Sequence, residues 1–400
     1  MKSAQPEGVR STDRVADAVA ALKDGTPVLV ADAVDGKHEY DVVLPAALAG
    51  PRWTAWTVRH TSGFLCAPLT THRAGELGLP PMVERNEDPR RKAYTVAVDA
   101  ADGISTGISA ADRARTARVL ADPQARPADL RRPGHVVPLR ARPGGVVERA
   151  GCTEAGVDLC RLAGLPPVAL SAGLVADSDK ATSMAGPDDV ARLAARHDVP
   201  VVDIAELVEY RLLFGDGERG RVTPASIARL STEHGALDVV GYRDEVTGAE
   251  HLAFAGRRDA RAPLVAVHAE CVLGDLFGPS ACDCGHPLAG ALDAVARAGG
   301  VLVYLRRTGH TCTEVPGAHT WTVSDDGAAG AILADLGCRA VRLAPGPTTA
   351  ARLARPGLAV FDVPRISTAS ERLRTTGRAG ARNPLHVLTE GKGLGAVDLR

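Results

Sequence analysis

Short apolar runs of strand length alternate with amphipathic helical stretches along most of this chain. That alternation restricts it to folds in which helices cover a sheet. Val15, Ala18, Val19 and Leu22 share one helical face, with Ser11 or Thr12 placed to cap the helix and Gly25 to end it. Residues 27–31 follow as a buried strand. Residues 189–197 read as a helix, 199–202 as a strand, and Asp203 caps another helix that runs to about Leu213. Further on, strands are expected at 264–267, 301–305, 340–343 and 358–363, with helices at 288–298 and 328–336. Residues 214–223 are rich in glycine and charge and lack periodicity, which marks a linker. The fold class is α/β (α+β), with two domains at residues 12–213 and 224–366, each a mixed sheet flanked by helices. Residues 367–400 lose periodicity and read as a mobile tail, in which His386 and its apolar neighbours could dock.

A formal net charge of −1 and a pI near 6.9 give no electrostatic footprint for nucleic acid or an anionic membrane. The N-terminus has no apolar core of the kind a signal peptide needs, and the apolar runs are too short to span a bilayer. Eight cysteines in 400 residues, three of them clustered, suit a reducing, cytoplasmic setting better than a disulfide framework. Arginine outnumbers lysine by 41 to 6, so each lysine in a motif carries weight.

The cluster is Cys271, Cys282 and Cys284, with His268, Glu270 and Asp283 close in sequence. Three thiolates at this density are a zinc ligand set, and three protein ligands leave a fourth tetrahedral position open. A zinc-bound water there ionises near neutral pH and can attack a carbon–nitrogen bond. The alternatives are a structural zinc, its fourth position closed by His268 or Asp283, and buried cysteines with no metal.

Four further segments complete the pattern: Arg59-His-Thr-Ser-Gly-Phe-Leu-Cys66, Thr106-Gly-Ile-Ser-Ala-Ala-Asp-Arg113, Arg132-Pro-Gly-His-Val-Val-Pro-Leu139, and Arg142-Pro-Gly-Gly-Val-Val-Glu-Arg-Ala-Gly-Cys-Thr-Glu-Ala155. With the cysteine run and Tyr304-Leu-Arg306, the chain resembles the bifunctional riboflavin-biosynthesis proteins. These fuse a 3,4-dihydroxy-2-butanone 4-phosphate synthase to a GTP cyclohydrolase II. The resemblance implies that Asp32, Glu39, Asp41, Cys66 and His135 line a sugar-phosphate pocket, that Thr106 lies on its substrate side, and that Arg149 and Thr153 grip the phosphate. It also implies a homodimer through the first domain. Gly36 falls where the family has a catalytic arginine, and Lys37 and Cys152 fall on its ligands for Mg2+ or Mn2+. A further family glutamate is matched by Ala172 or an apolar neighbour. These exchanges imply a site without its divalent ion, in which Lys37 either takes a catalytic role or faces water.

In the second half, family cations and polar groups are matched by Ala266, Ala281, Thr322, Ser324, the run Arg307-Thr-Gly-His-Thr311 and the loop Pro345-Gly-Pro-Thr-Thr349. A triphosphate needs several cations or backbone N–H groups, so GTP hydrolysis is not expected. Two function classes follow. One is an enzyme acting on a phosphorylated small molecule with the synthase-like half as its seat. The other is a non-catalytic homologue that regulates or scaffolds a pathway enzyme.

Overall fold

The computed structural model describes residues 7–34, 37–176, 183–216, 220–256, 262–277, 284–306, 321–353 and 358–362; of residues 7–12, 33, 34, 37, 38 and 362 it describes the backbone alone. The first half runs α1 (Glu7–Lys23), β1 (Val28–Val34), β2 (Lys37–Pro45), α2 (Pro51–His60), β3 (Cys66–Thr70), α3 (Thr71–Glu76), β4 (Val98–Ala100) and α4 (Ala110–Ala121). It continues through β5 (Leu130–Ala141), α5 (Cys152–Leu162), β6 (Ala169–Gly173), α6 (Pro187–His197), β7 (Val201–Asp203) and α7 (Ile204–Phe214). Among the described residues these strands form a mixed sheet in the order β4-β5-β3-β6-β2-β1-β7.

Both faces of that sheet are covered. On one, Val15, Ala18 and Leu22 of α1 pack with Val28, Val30, Val43, Leu159 of α5, and Val202. On the other, Trp56 of α2 and Val190 and Leu193 of α6 cover Leu29, Tyr40 and Val42, while α4 covers Leu44 and Leu170 with Ala114, Ala117 and Leu120. Burying each of these large apolar side chains contributes roughly 1.5–3 kcal/mol. The alternation read from the sequence therefore resolves into three layers, helix on sheet on helix.

The second half runs β8 (Val222–Thr232), β9 (Gly235–Asp244), β10 (Glu250–Ala255), β11 (Leu264–Ala269), α8 (Val272–Phe277) and α9 (Gly285–Ala298). Then come β12 (Val301–Leu305), α10 (Val323–Asp335), β13 (Ala340–Leu343), α11 (Ala350–Leu353) and β14 (Ala359–Asp362). Its sheet has the order β14-β13-β11-β12-β10-β9-β8. Ala329, Ile332 and Leu333 of α10 bury one face against Val265, Val303 and Val341, and Val295 of α9 buries the other against Leu237 and Leu302.

Several expectations shift. The first helix starts at Glu7, so Ser11 and Thr12 lie inside it rather than at its cap. Pro6, a residue type suited to a helix start, directly precedes it. Asp203 does cap α7, accepting from the Ala205 N–H at 2.7 Å. The long β8–β9 hairpin was not legible, because residues 223–231 of β8 are exposed on both faces and show no apolar alternation. At the joint, α7 ends at Phe214 and β8 begins at Val222. The apolar clusters of the two halves share no residue. Yet α7 and α10 lie backbone to backbone, since a Cβ on Gly327 would stand 2.0 Å from the Leu212 carbonyl oxygen. Residues 217–219 and the expected tail, 367–400, lie outside the described residues.

Candidate active site

Strand register assembles the site. Directly opposed residues of an antiparallel pair share a face. Val28 opposes Val43, Val30 opposes Asp41, and Asp32 opposes Glu39. On the next strand Asp41 opposes Gly173, and Cys66 opposes Ser171. Asp32, Glu39, Asp41 and Cys66 therefore form the polar end of the face whose apolar part lies under α1, α5 and α7. The first turn of α5 reaches that end, with Cys152 Sγ 3.9 Å from Asp32 Oδ2 and Thr153 buried. Ala172 opposes Val42 and sits in the core on the other face. The residue beside Asp41 is Gly173, where a Cβ would meet Met184 Cε at 2.9 Å and Asp41 Oδ1 at 3.7 Å. A thioether thus closes the space next to the carboxylate.

Cations come from a loop that the sequence reading passed over. The Arg90 guanidinium donates two hydrogen bonds to the Glu39 carboxylate, one of them Nη2 to Oε1 at 2.5 Å. Arg149 Nη2 donates to the Arg90 carbonyl at 2.9 Å, while its Nη1 lies 3.4 Å from Glu154 Oε1. Glu154 is fully buried and also accepts from the Arg142 N–H at 3.0 Å. Lys92 is close enough to act electrostatically on Asp32, Asp41 and both thiols. The run Asn86-Glu-Asp-Pro-Arg-Arg-Lys92 holds one of only six lysines, a signal that could have found it.

These neighbours set the protonation states. Burial pushes the Asp32 and Asp41 carboxyls up from their usual range, although the Cys152 thiol partly opposes this by bonding to Asp41. The Arg90 hydrogen bonds hold Glu39 below its ordinary value. Burial, with the charge of Asp41, pushes Cys66 up to about 12 and Cys152 well above an ordinary thiol. Both cysteines are protonated at neutral pH.

The remaining expected residues divide. His135 Nδ1 lies 2.7 Å from Asp99 Oδ2, and its N–H donates to Asp99 Oδ1 at 2.9 Å. Thr106 is exposed beside this pair, because a Cβ on the adjoining Gly107 would strike Asp99 Oδ2 at 2.2 Å and His135 Nδ1 at 2.7 Å. Asp99 and Glu154 were not singled out from sequence; their roles as partners of His135 and Arg149 need the tertiary structure. The backbone of Lys37 pairs with Val34 at the end of the β1–β2 hairpin, and its side chain lies outside the described residues.

In the second half, Cys271 is buried between β11 and α8, and its Sγ accepts from the Gly274 N–H at 3.2 Å. Cys284 immediately precedes α9, and a Cβ on Gly285 would lie 2.6 Å from the Gly274 carbonyl oxygen. The two cysteine-bearing turns are therefore in contact. Cys282 and Asp283 lie outside the described residues, as do Ala281 and residues 307–320. Among the described residues no three His, Cys, Asp or Glu side chains converge as a metal site. His268 Nε2 lies 2.9 Å from Asp275 Oδ1, while Asp275 Oδ2 accepts from Tyr304 at 2.8 Å and from the Cys271 N–H at 2.9 Å. That contact engages one of the two imidazole nitrogens, as a carboxylate does for a histidine that ligates metal through the other. Thr322 caps α10, and Ser324 Oγ accepts from Arg221 Nη2 at 2.7 Å.

Two mixed sheets in one chain, one bearing a carboxylate–thiol cluster at a helix N-terminus and the other a cysteine-bearing turn, define a two-domain protein with helices packed on both sheets. The 3,4-dihydroxy-2-butanone 4-phosphate synthase family model matches residues 16–210, and that of GTP cyclohydrolase II matches residues 223–365. The riboflavin biosynthesis protein RibBA of Salinispora arenicola is 48% identical over 295 residues, covering 73% of this chain and 69% of its own. That of Mycobacterium tuberculosis is 39% identical over 413 residues, covering 96% and 94%. The chain belongs to the RibBA family of riboflavin biosynthesis proteins, with a synthase domain fused to a cyclohydrolase II domain. Among solved structures, RibBX from A. baumannii, described as a two-domain 3,4-dihydroxy-2-butanone 4-phosphate synthase, is 27% identical with a TM-score of 0.56, covering 88% of this chain and 100% of its own. A 3,4-dihydroxy-2-butanone 4-phosphate synthase solved in complex with two magnesium ions is 44% identical with a TM-score of 0.47, covering 49% and 95%. No helix among the described residues is long and apolar enough to cross a membrane.

Proposed function

We propose that the first half is a lyase of the 3,4-dihydroxy-2-butanone 4-phosphate synthase type. It acts on ribulose 5-phosphate or a closely related sugar phosphate, and its chemistry does not use magnesium. The observation that carries this reading is the Arg90 fork on Glu39. Magnesium takes carboxylate, carbonyl and water oxygens. Here Glu39 already carries a guanidinium, and a protonated thiol stands beside Asp32 and Asp41. These residues do not fit the ion.

Arg149, Thr153 and the first turn of α5, whose Gly151 N-cap brings no side-chain acceptor, grip the phosphate through a guanidinium, a hydroxyl and backbone N–H groups. The desolvated Asp41 takes the substrate proton, and Cys152 donates to it. Arg90, Lys92 and Lys37 supply positive charge against the developing enediolate. Cys66 and the His135–Asp99 pair complete the wall, and Thr106 lies on the substrate side. The test is formate release from ribulose 5-phosphate, with magnesium and with a chelator. Equal rates are expected, and Arg90→Gln should lower kcat by roughly 100-fold, as for loss of one preorganised charge. Activity abolished by the chelator and restored by magnesium would overturn the metal-free chemistry. No turnover in either condition would favour a non-catalytic homologue that regulates or scaffolds a pathway enzyme.

For the second half the proposal is a zinc ion on Cys271, Cys282 and Cys284, without GTP hydrolysis. The contact between the Cys271 and Cys284 turns supports the thiolate set, and a bound zinc would hold those turns together. The structural duties of Thr322 and Ser324 support the loss of GTP chemistry. Guanine nucleotide turnover by the purified protein would refute it. The assembly proposed is a homodimer through the first domain.

A further inference from the structure

A cavity of about 280 Å³ lies where the two halves meet, lined by Gly144, Arg161, Arg211, Asp216, Glu245 and Val246 among others. It is separate from the site at the N-terminus of α5, because Arg161 belongs to the last turn of that helix. Arg161 and Arg211 share a single fully buried carboxylate, Asp158. Arg161 Nη1 is 3.4 Å from Asp158 Oδ1, Arg211 Nη1 pairs with Oδ2, and the Val146 N–H donates to Oδ2 at 2.9 Å. Two guanidiniums against one carboxylate leave an excess positive charge at the wall. The Arg211 side chain is only 7% exposed, and its buried Nε has no hydrogen-bond partner among the described residues. Acidic groups come from elsewhere: Asp216 just beyond α7, and Glu245 in the turn after β9. Asp216 Oδ1 is also buried without a partner among the described residues.

A buried donor on a cation and a buried acceptor on a carboxylate each cost about 1–3 kcal/mol when unpaired. Water could satisfy either, and the space would hold roughly nine waters at about 30 Å³ each. A molecule with an anionic group and an amine offers a counter-charge to the arginines and to the carboxylates at once. We propose that this cavity binds a small zwitterion, its phosphate or carboxylate on Arg161 and Arg211 and its ammonium on Asp216 and Glu245. Helices α5 and α7 of the first half and the β9–β10 turn of the second contribute to its wall, so occupancy ties the two halves together.

Calorimetry on the full-length protein tests this with phosphoethanolamine, β-alanine, inorganic phosphate and ethanolamine as probes. One of the two zwitterions should bind at least tenfold more tightly than either single-charge probe, and which one separates phosphate from carboxylate. Val246→Trp, which fills the cavity from a surface turn, should abolish that binding, and Arg161→Gln should weaken it at least tenfold. Arg149→Ala, which removes the anion clamp of the other site, should leave it unchanged. No heat with either zwitterion, no preference over inorganic phosphate, or binding lost only in Arg149→Ala would overturn the proposal. If Val246→Trp does not fold, Arg161→Gln decides, and equal binding by it and the wild type overturns the proposal as well.

Discussion

Arg90, Glu39 and the thiols of Cys66 and Cys152 show how neighbouring groups act on protonation at the proposed site. Cys66 illustrates how burial becomes a pH effect. Its thiol rises from 9.0 to about 12, chiefly through burial and then through Asp41. The folded state thus holds its proton more tightly than the unfolded chain does. The resulting stabilisation is complete below pH 9 and is lost as the pH rises toward 12. Cys66→Ala should therefore show a shallower fall in stability across that window, measured by urea unfolding at several pH values; an unchanged slope would contradict the burial argument. The same protonation predicts slow alkylation. Iodoacetamide at pH 8 should leave Cys66 and Cys152 unmodified in peptide mass mapping, because the thiolate is the reactive species. Arg149→Ala should weaken sugar-phosphate binding by about 1.5–3 kcal/mol, the range for a charge-assisted hydrogen bond, and calorimetry reads that directly. Asp32, Glu39, Asp41 and Cys66 were legible as types in motifs. The partner of Glu39, Arg90, was not, because a guanidinium 51 residues from its carboxylate leaves no local pattern.

The elements named from sequence carry boundary errors of a few residues, the largest at the starts of α1 and α10. Strands β12 and β13 match their expected bounds, and the five residues of β12 are a continuous apolar run. Strand β8 was missed for the opposite reason, its exposure on both faces. The α7–α10 packing provides a test in which two effects oppose each other. Replacing glycine by alanine within an exposed helix stabilises by about 1 kcal/mol. At Gly327, however, the new Cβ would meet the Leu212 carbonyl oxygen at 2.0 Å and Leu213 Cα at 2.9 Å. Neither backbone group can move away cheaply, so the clash should win. Gly327→Ala is expected to destabilise by about 1–3 kcal/mol, read as a lower urea midpoint. A stabilised variant would mean that the two helices do not pack this closely.

At the scale of the molecule, the proposed dimer predicts twice the 41.5 kDa chain mass in light scattering at micromolar protein; a monomer mass would refute it. Protein purified without chelator should carry close to one zinc per chain, and less than about a tenth of an equivalent would refute the three-cysteine site. The amino-acid sequence by itself determined the helix–sheet alternation, the two-part organisation and the family, because periodicity and motifs are written among near neighbours in the chain. Only the tertiary structure decided that Asp32, Glu39, Asp41 and Cys66 share one sheet face, that Arg90 covers it, and that Ala172 lies behind it. It also decided that α7 meets α10 and that Arg211 of α7 lines a charged cavity. Which strands pair is set by burial across the whole domain, and one residue of register moves a side chain to the opposite face.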